Sequence, residues 1–209
     1  MPAAPFVVAV LAGGASRRMG QDKARLILED GRTLLGRTAH VAREAGADRV
    51  LVIGRVRPAD WDGPDAAEFV PDPSERTGEG PLDGIATALE AAAGAAVLVV
   101  PCDLPRLSSE ALRWLQGEAV AAGEAADGAV TVSADGGASP LFAVYRAAFL
   151  PRVRACLGAG ERSVRRCIER GDFARLAVPE PLRAALADAD TPEQFAAALG
   201  TDPTARGAR

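Results

Sequence analysis

Val7-Val8-Ala9-Val10-Leu11-Ala12-Gly13-Gly14-Ala15-Ser16-Arg17-Arg18-Met19-Gly20-Gln21-Asp22-Lys23 joins a short apolar run to two glycines and a cluster of basic residues. The run is continuous, rich in β-branched residues and cut off by a breaker, which marks a buried strand. Gly13 and Gly14 let the chain turn tightly and bring its backbone close to a ligand with no Cβ in the way. Successive N–H groups in such a loop can form a nest for phosphate oxygens, and Arg17, Arg18 and Lys23 add positive charge. The stretch has no Lys-Ser or Lys-Thr closing a P-loop, and no Gly-x-Gly-x-x-Gly of a dinucleotide site. A glycine turn with solvated arginines is the plainer alternative. The ordered succession of strand, Gly-Gly, paired Arg, Gly and Asp-Lys argues instead for an anion-binding loop.

Outward from this loop, strands and helices alternate. Residues 49–54, 68–72 and 95–101 read as strands, the last the most apolar and therefore central. A helix is expected over 33–45, capped by Thr33 and stopped by Gly46. Others are expected over 82–93, stopped by Gly94, and after a cap at Ser108 or Ser109, with Leu112 and Leu115 on one face. Strand candidates at 128–133 and 141–145 flank a glycine-rich turn. A helix over 147–157 follows, then a basic helix opened by Gly160-Glu161-Arg162-Ser163 and running to Arg170. Short strands are expected at 173–178 and 185–189, and Thr191-Pro192-Glu193 starts a last helix with Pro at its first position. This order predicts an α/β protein, a three-layer α/β/α sandwich around a mostly parallel sheet. One domain over 1–200 is expected, with a frayed tail over 201–209.

The composition narrows the chemistry. A chain of 209 residues, 48% hydrophobic and 25% charged, can bury one sizeable core. Its net charge of −4 disfavours non-specific binding to nucleic acid or an anionic membrane, so any anion site must be a local basic cluster. Cys102, Cys156 and Cys167 are odd in number and lack C-x-x-C spacing, which argues against a disulfide framework or a zinc site. His40 is the single histidine and falls in a predicted helix, which leaves no basis for a Ser-His-Asp triad. No basic leader opens the chain and no apolar run could span a bilayer, so a reduced cytoplasmic setting is expected. In the Pro- and Asp-rich connection over 56–67, Trp61 reads as a packing anchor.

Asp103 is the strongest single candidate for chemistry. Pro101-Cys102-Asp103-Leu104-Pro105 closes the central strand, and ligands of open α/β sheets bind outside the carboxyl ends of strands. A carboxylate there, facing a polyphosphate loop, suits Mg²⁺, a hard ion that takes oxygen ligands. An aspartate that only caps the next turn is the plainer alternative. Arg162, Arg165, Arg166 and Arg170 recur at near-helical spacing. Such a face is ordinarily solvated, but an anionic acceptor would give Arg162 a phosphate to bind.

The first motif, Leu11-Ala12-Gly13-Gly14-x-Ser16-Arg17-Arg18-Met19-Gly20-x-Asp22-Lys23, resembles the signature loop of the molybdenum cofactor guanylyltransferases. These are nucleotidyltransferases with a Rossmann-like sheet. The resemblance implies that Leu11, Ala12, Gly13, Gly14, Ser16 and Lys23 bind a nucleotide, and that Arg17 and Lys23 act in catalysis. Pro101-Cys102-Asp103-Leu104-Pro105 resembles the second family motif, which implies that Asp103 binds magnesium and nucleotide phosphates. Gly80-Pro81-Leu82-Asp83-Gly84 is similar to a segment that lies along the nucleotide, implicating Gly80 and Pro81. Asp72 takes the place of a nucleotide-binding aspartate. Ser139 to Arg146 resembles the strand beside the acceptor site, and Gly160-Glu161-Arg162-Ser163 the basic helix entry after it; Arg18, Arg146 and Arg162 are the acceptor-side candidates. Two departures stand out. Ile53-Gly54 occupies a place where guanylyltransferases often carry Asn, and Asp188 and Asp190 stand where many carry Asn, as in related cytidylyltransferases. The implied reaction moves GMP from Mg²⁺-GTP to the terminal phosphate of molybdopterin or its molybdenum form. It releases pyrophosphate and leaves a product for a molybdoenzyme or chaperone. Two alternatives stay open: a transferase using CTP or a sugar-phosphate acceptor, and a non-catalytic nucleotide-binding regulator, against which the intact Lys23 and Asp103 argue.

Overall fold

Strand β1 (Val7–Leu11) lies between two parallel neighbours and is buried along nearly its whole length, which is why it reads as an unbroken apolar run. The computed structural model describes residues 5–13, 22–28, 30–71, 80–123, 126–132, 136–189 and 194–195. Helix α1 (Leu34–Glu44), N-capped by Thr33 as its sequence predicts, leads to β2 (Arg49–Ile53), and β3 (Glu68–Val70) extends that side. Helix α2 (Pro81–Ala91) then returns the chain across β1 to β4 (Val97–Pro101). The strand order β3-β2-β1-β4-β6-β5-β7 therefore reverses between β1 and β4. Such a reversal leaves a crevice outside the carboxyl ends of the two strands. Leu11 and Pro101 are partners in register, so the glycine loop and Cys102-Asp103 leave the sheet side by side.

Helix α3 (Ser109–Ala121), capped by the Ser108 hydroxyl, precedes β5 (Gly128–Val132) and β6 (Ala138–Tyr145). The connection over 133–137 is too short for a crossover and can only join antiparallel strands. β6 therefore runs against both β4 and β5, while the other strand pairs are parallel. Its register jumps from Val130↔Ala143 to Thr131↔Ser139, which bulges out Pro140, Leu141 and Phe142. The Thr131 hydroxyl donates to the Phe142 carbonyl (2.9 Å) and the Tyr145 hydroxyl to that of Pro140 (2.6 Å), holding the bulge from both sides. Helices α4 (Leu150–Gly158) and α5 (Val164–Ile168), β7 (Phe173–Ala177) and the short α6 (Glu180–Arg183) follow.

The expected three layers are present. Val8 and Val10 pack with Leu35 and Ala39 of α1 and Leu112 and Leu115 of α3 on one face. Val7 and Ala9 pack with Leu82 and Ile85 of α2, Val153 of α4 and Cys167 of α5 on the other. Trp61 is the anchor its sequence suggests: its ring meets Phe69 edge-on at 4.9 Å. The strand expected at 185–189 is not formed. Residues Ala184–Leu186 make a 3-10 turn, and Ala189 then donates its N–H to the Asp103 carbonyl (3.2 Å) instead of joining a ladder. The helix start at Thr191-Pro192-Glu193 and the tail over 201–209 lie outside the described residues.

Candidate active site

At the crevice, Lys23 and Asp103 come together. Lys23 opens a single 3-10 turn, Lys23–Arg25, whose cap is Asp22: its Oδ1 accepts from the Ala24 N–H at 3.1 Å. The Lys23 side chain is only 12% exposed, its Nζ donating to the Ala189 carbonyl at 3.0 Å and lying 3.8 Å from Asp103 Oδ2. Ala189 donates its N–H to the Asp103 backbone carbonyl and accepts from Lys23 at its own carbonyl, so one residue ties the Lys23 ammonium to the backbone that carries Asp103. Residues 28, 34, 189 and 195 form a small apolar cluster that seats this segment.

Leu11 ends β1 and Ala12 follows, its N–H donating to the Ile53 carbonyl (3.0 Å), and then Gly13, exposed. Gly80 and Pro81 open α2 at its exposed N-terminus, and Asp83 in the first turn is buried. Gly14, Ser16, Arg17, Arg18 and Asp72 lie outside the described residues.

Beside Asp103 a cavity of about 580 Å³ opens along the same sheet edge, lined by Ser139, Leu141, Arg165, Arg183 and Asp188 among others. The β6 bulge supplies one wall. Arg165 projects from α5 and its guanidinium has no hydrogen-bond or ion-pair partner among the described residues. Arg183 is paired with Glu180 at 2.5 Å.

Two acceptor-side candidates lie away from this cavity. Arg146 lies at the opposite edge of the sheet. Tyr145 is in register with Val97 and Gly128, the first residues of β4 and β5, because β6 runs antiparallel. The Arg146 guanidinium donates to the Ala119 carbonyl at 2.7 Å, about 15 Å or more of strand from Asp103. Arg162 does not line the cavity; its Nη1 turns back to the carbonyls of Leu157 and Glu161 at 3.2 and 3.3 Å. Arg165, three residues on, lines it. The sequence shows all four arginines of this run, but not which one faces inward.

Arg55, which belongs to none of the motifs above, donates from Nε to the Ala12 carbonyl (2.8 Å) and from both Nη atoms to the Asp22 carboxylate. The available signal is its position, directly after a strand that flanks the glycine loop. Cys102 is chemically quiet: burial, and then the neighbouring Asp103 carboxylate, push its thiol up to about 12, so it stays protonated at neutral pH. No cluster of three or more His, Cys, Asp or Glu is formed among the described residues. The partly exposed carboxylate of Asp103 nevertheless fits Mg²⁺. That ion is commonly held by one or two carboxylates, with water and substrate phosphates completing its shell.

A doubly wound sheet with its reactive groups at the switch point places the protein among the nucleotide-binding α/β enzymes. It belongs to the MobA-like NTP transferase domain family, whose model matches residues 8–176. The chain is 39% identical over 198 residues to an Opitutus terrae protein named "Probable molybdenum cofactor guanylyltransferase", covering 88% of this chain and 90% of that one. It is 32% identical over 192 residues to the molybdenum cofactor guanylyltransferase of Pseudomonas fluorescens, covering 92% of each. The crystal structure of molybdopterin-guanine dinucleotide biosynthesis protein A from Archaeoglobus fulgidus superposes with a TM-score of 0.73 at 24% identity, over 93% of this chain and 97% of that one, a likeness of fold. Among the described residues, no helix is long and apolar enough to cross a membrane.

Proposed function

We propose that the protein transfers GMP from Mg²⁺-GTP to the terminal phosphate of molybdopterin, forming the guanine dinucleotide and releasing pyrophosphate. The observation that carries this reading is the Lys23–Asp103 pair, 3.8 Å apart at the switch point and beside a cavity with Arg165 in its wall. The names of the curated relatives support guanine and molybdopterin as the substrates.

An oxygen of the acceptor phosphate attacks the α-phosphorus. A new O–P bond forms, the bond to the bridging oxygen breaks, and its electron pair leaves with pyrophosphate. The acceptor oxygen is already anionic near neutral pH, so no general base is needed. The obstacle is bringing two anions together, and the site answers it by positioning and by positive charge. Gly13, Gly14, Ser16 and Arg17 hold phosphates, and Leu11 and Ala12 complete the nucleotide-binding set. Gly80, Pro81 and Asp72 run along the nucleoside. Lys23 sits where charge builds on the transferred group. Asp103 would hold Mg²⁺, which when bound neutralises phosphate oxygens. Arg18 and Arg165 face the acceptor.

The test is pyrophosphate release by the full chain with Mg²⁺ and molybdopterin, offered GTP, CTP, ATP and UTP separately. Release with GTP alone is the expected result. Release with CTP alone would overturn the guanine assignment, and release with none of the four would overturn the reaction.

A further inference from the structure

Ala12, just past β1, and Asp22, the cap of the Lys23 turn, are gripped by one side chain. Arg55 follows Gly54, whose φ of +84° and N–H bond to the Val70 carbonyl (2.8 Å) turn the chain out of β2. From there its Nε reaches the Ala12 carbonyl at 2.8 Å, and Nη2 reaches Asp22 Oδ1 at 2.6 Å while Nη1 takes Oδ2. The same Asp22 Oδ1 accepts from Ala24 N–H and so caps the turn that begins at Lys23. The contacts run in a line: Arg55 fixes the Asp22 carboxylate, the carboxylate fixes the turn, and the turn aims Lys23 at Asp103. A two-pronged pair between guanidinium and carboxylate fixes direction as well as distance. The two side chains are 23% and 32% exposed, enough shielding to keep the pair from being an ordinary solvated surface contact.

We infer that Arg55 is a positioning residue, which ties Ala12 to Asp22 and sets the Lys23 ammonium for transfer. The inference rests on the role given to Lys23 above. A lysine cannot replace Arg55, since one ammonium cannot meet the Ala12 carbonyl and both carboxylate oxygens in this plane.

The test is a double-mutant cycle on pyrophosphate release, Arg55→Ala made in the wild type and in Lys23→Met. In the wild type, kcat should fall roughly 10- to 100-fold, the scale on which a misplacement of about 1 Å acts. In the Lys23→Met background the further fall should be under about twofold, because a residue acting through Lys23 has nothing left to position. Arg55→Lys should recover little of the loss. Equal losses in both backgrounds, or no loss in the wild type, would overturn the inference. Amide hydrogen exchange supplies a readout that needs no turnover. Arg55→Ala should speed exchange over residues 22–26 and leave residues 34–44 unchanged; unaltered exchange over 22–26 would overturn the inference even if the assigned substrates proved wrong.

Discussion

Replacing Lys23 by Met keeps an unbranched stem in the buried channel and deletes the charge. The magnitude follows from the geometry. Two unit charges 3.8 Å apart interact by about 4 kcal/mol at an effective dielectric constant of about 20. A phosphate oxygen taking its place at a similar distance would feel the same ammonium. Removing one preorganised donor from such a site costs roughly 10²- to 10³-fold in kcat, about 3–4 kcal/mol. The cost in stability is smaller. The bond to the Ala189 carbonyl is lost, worth about 1 kcal/mol, and the melting temperature should drop by about 2–4 °C in a domain of this size. Initial rates of pyrophosphate release and a thermal melt on the same sample separate the two effects. A kcat within about threefold of wild type would refute the reasoning. So would a raised nucleotide KM with kcat unchanged, since that is the mark of ground-state binding alone.

Steady-state kinetics with varied acceptor should show Arg165→Ala raising the acceptor KM by about 10-fold or more, the worth of one charge-assisted hydrogen bond, with the nucleotide KM unchanged; Arg162→Ala should leave both as they are. Glu68 on edge strand β3 is held below its usual 4.5 chiefly by its hydrogen bonds from Arg49, both 2.8 Å. A carboxyl depressed in the folded state stabilises above its unfolded pKa and loses that contribution as pH falls through its folded value. Urea unfolding should therefore show Glu68→Gln less stable than wild type at pH 7, with the gap closing below about pH 4. Gly128→Ala would set a Cβ 2.0 Å from the Val144 carbonyl, a backbone atom that cannot yield, and should cost about 3 kcal/mol in the same assay. Gly117→Ala, with open space around it in α3, should instead stabilise by up to about 1 kcal/mol.

The parts of the fold that were legible are those whose information is local. β1 and β4 are apolar runs bounded by breakers, and α1 carries its own cap in Thr33. Asp103 could be placed because a residue just past the carboxyl end of a central parallel strand has a known relation to the crevice. Arg146 also follows a strand, but that strand runs the other way, and nothing in residues 138–145 states their direction. The clue lay in the brevity of the connection over 133–137, which excludes a crossover. Arg55 was hidden because its partners are 43 and 33 residues away in sequence, and only the pairing of β2 with β1 brings them within reach. The five-residue α5 is too short to show a reliable face, so choosing between Arg162 and Arg165 required the packed structure.

The inverted strand also explains why the two halves of the site adjoin. Because β6 runs against its neighbours, its beginning, not its end, lies at the crevice edge. Ser139 and the bulged Pro140, Leu141 and Phe142 therefore line the cavity together with Pro101 at the end of β4, Thr131 and Val132 at the end of β5, and Ala177 at the end of β7. A parallel strand there would have delivered its other end, carrying Tyr145, and Tyr145 is instead fully buried at the far edge, stacked on Phe149. Asp103 belongs to both halves, since it faces Lys23 across the switch point and lines the cavity as well. On the proposed reading, the nucleotide is held by the parallel half of the sheet and the acceptor by the mixed half. The reacting phosphates then meet at the seam between β1 and β4, where the protein has placed its lysine and its carboxylate.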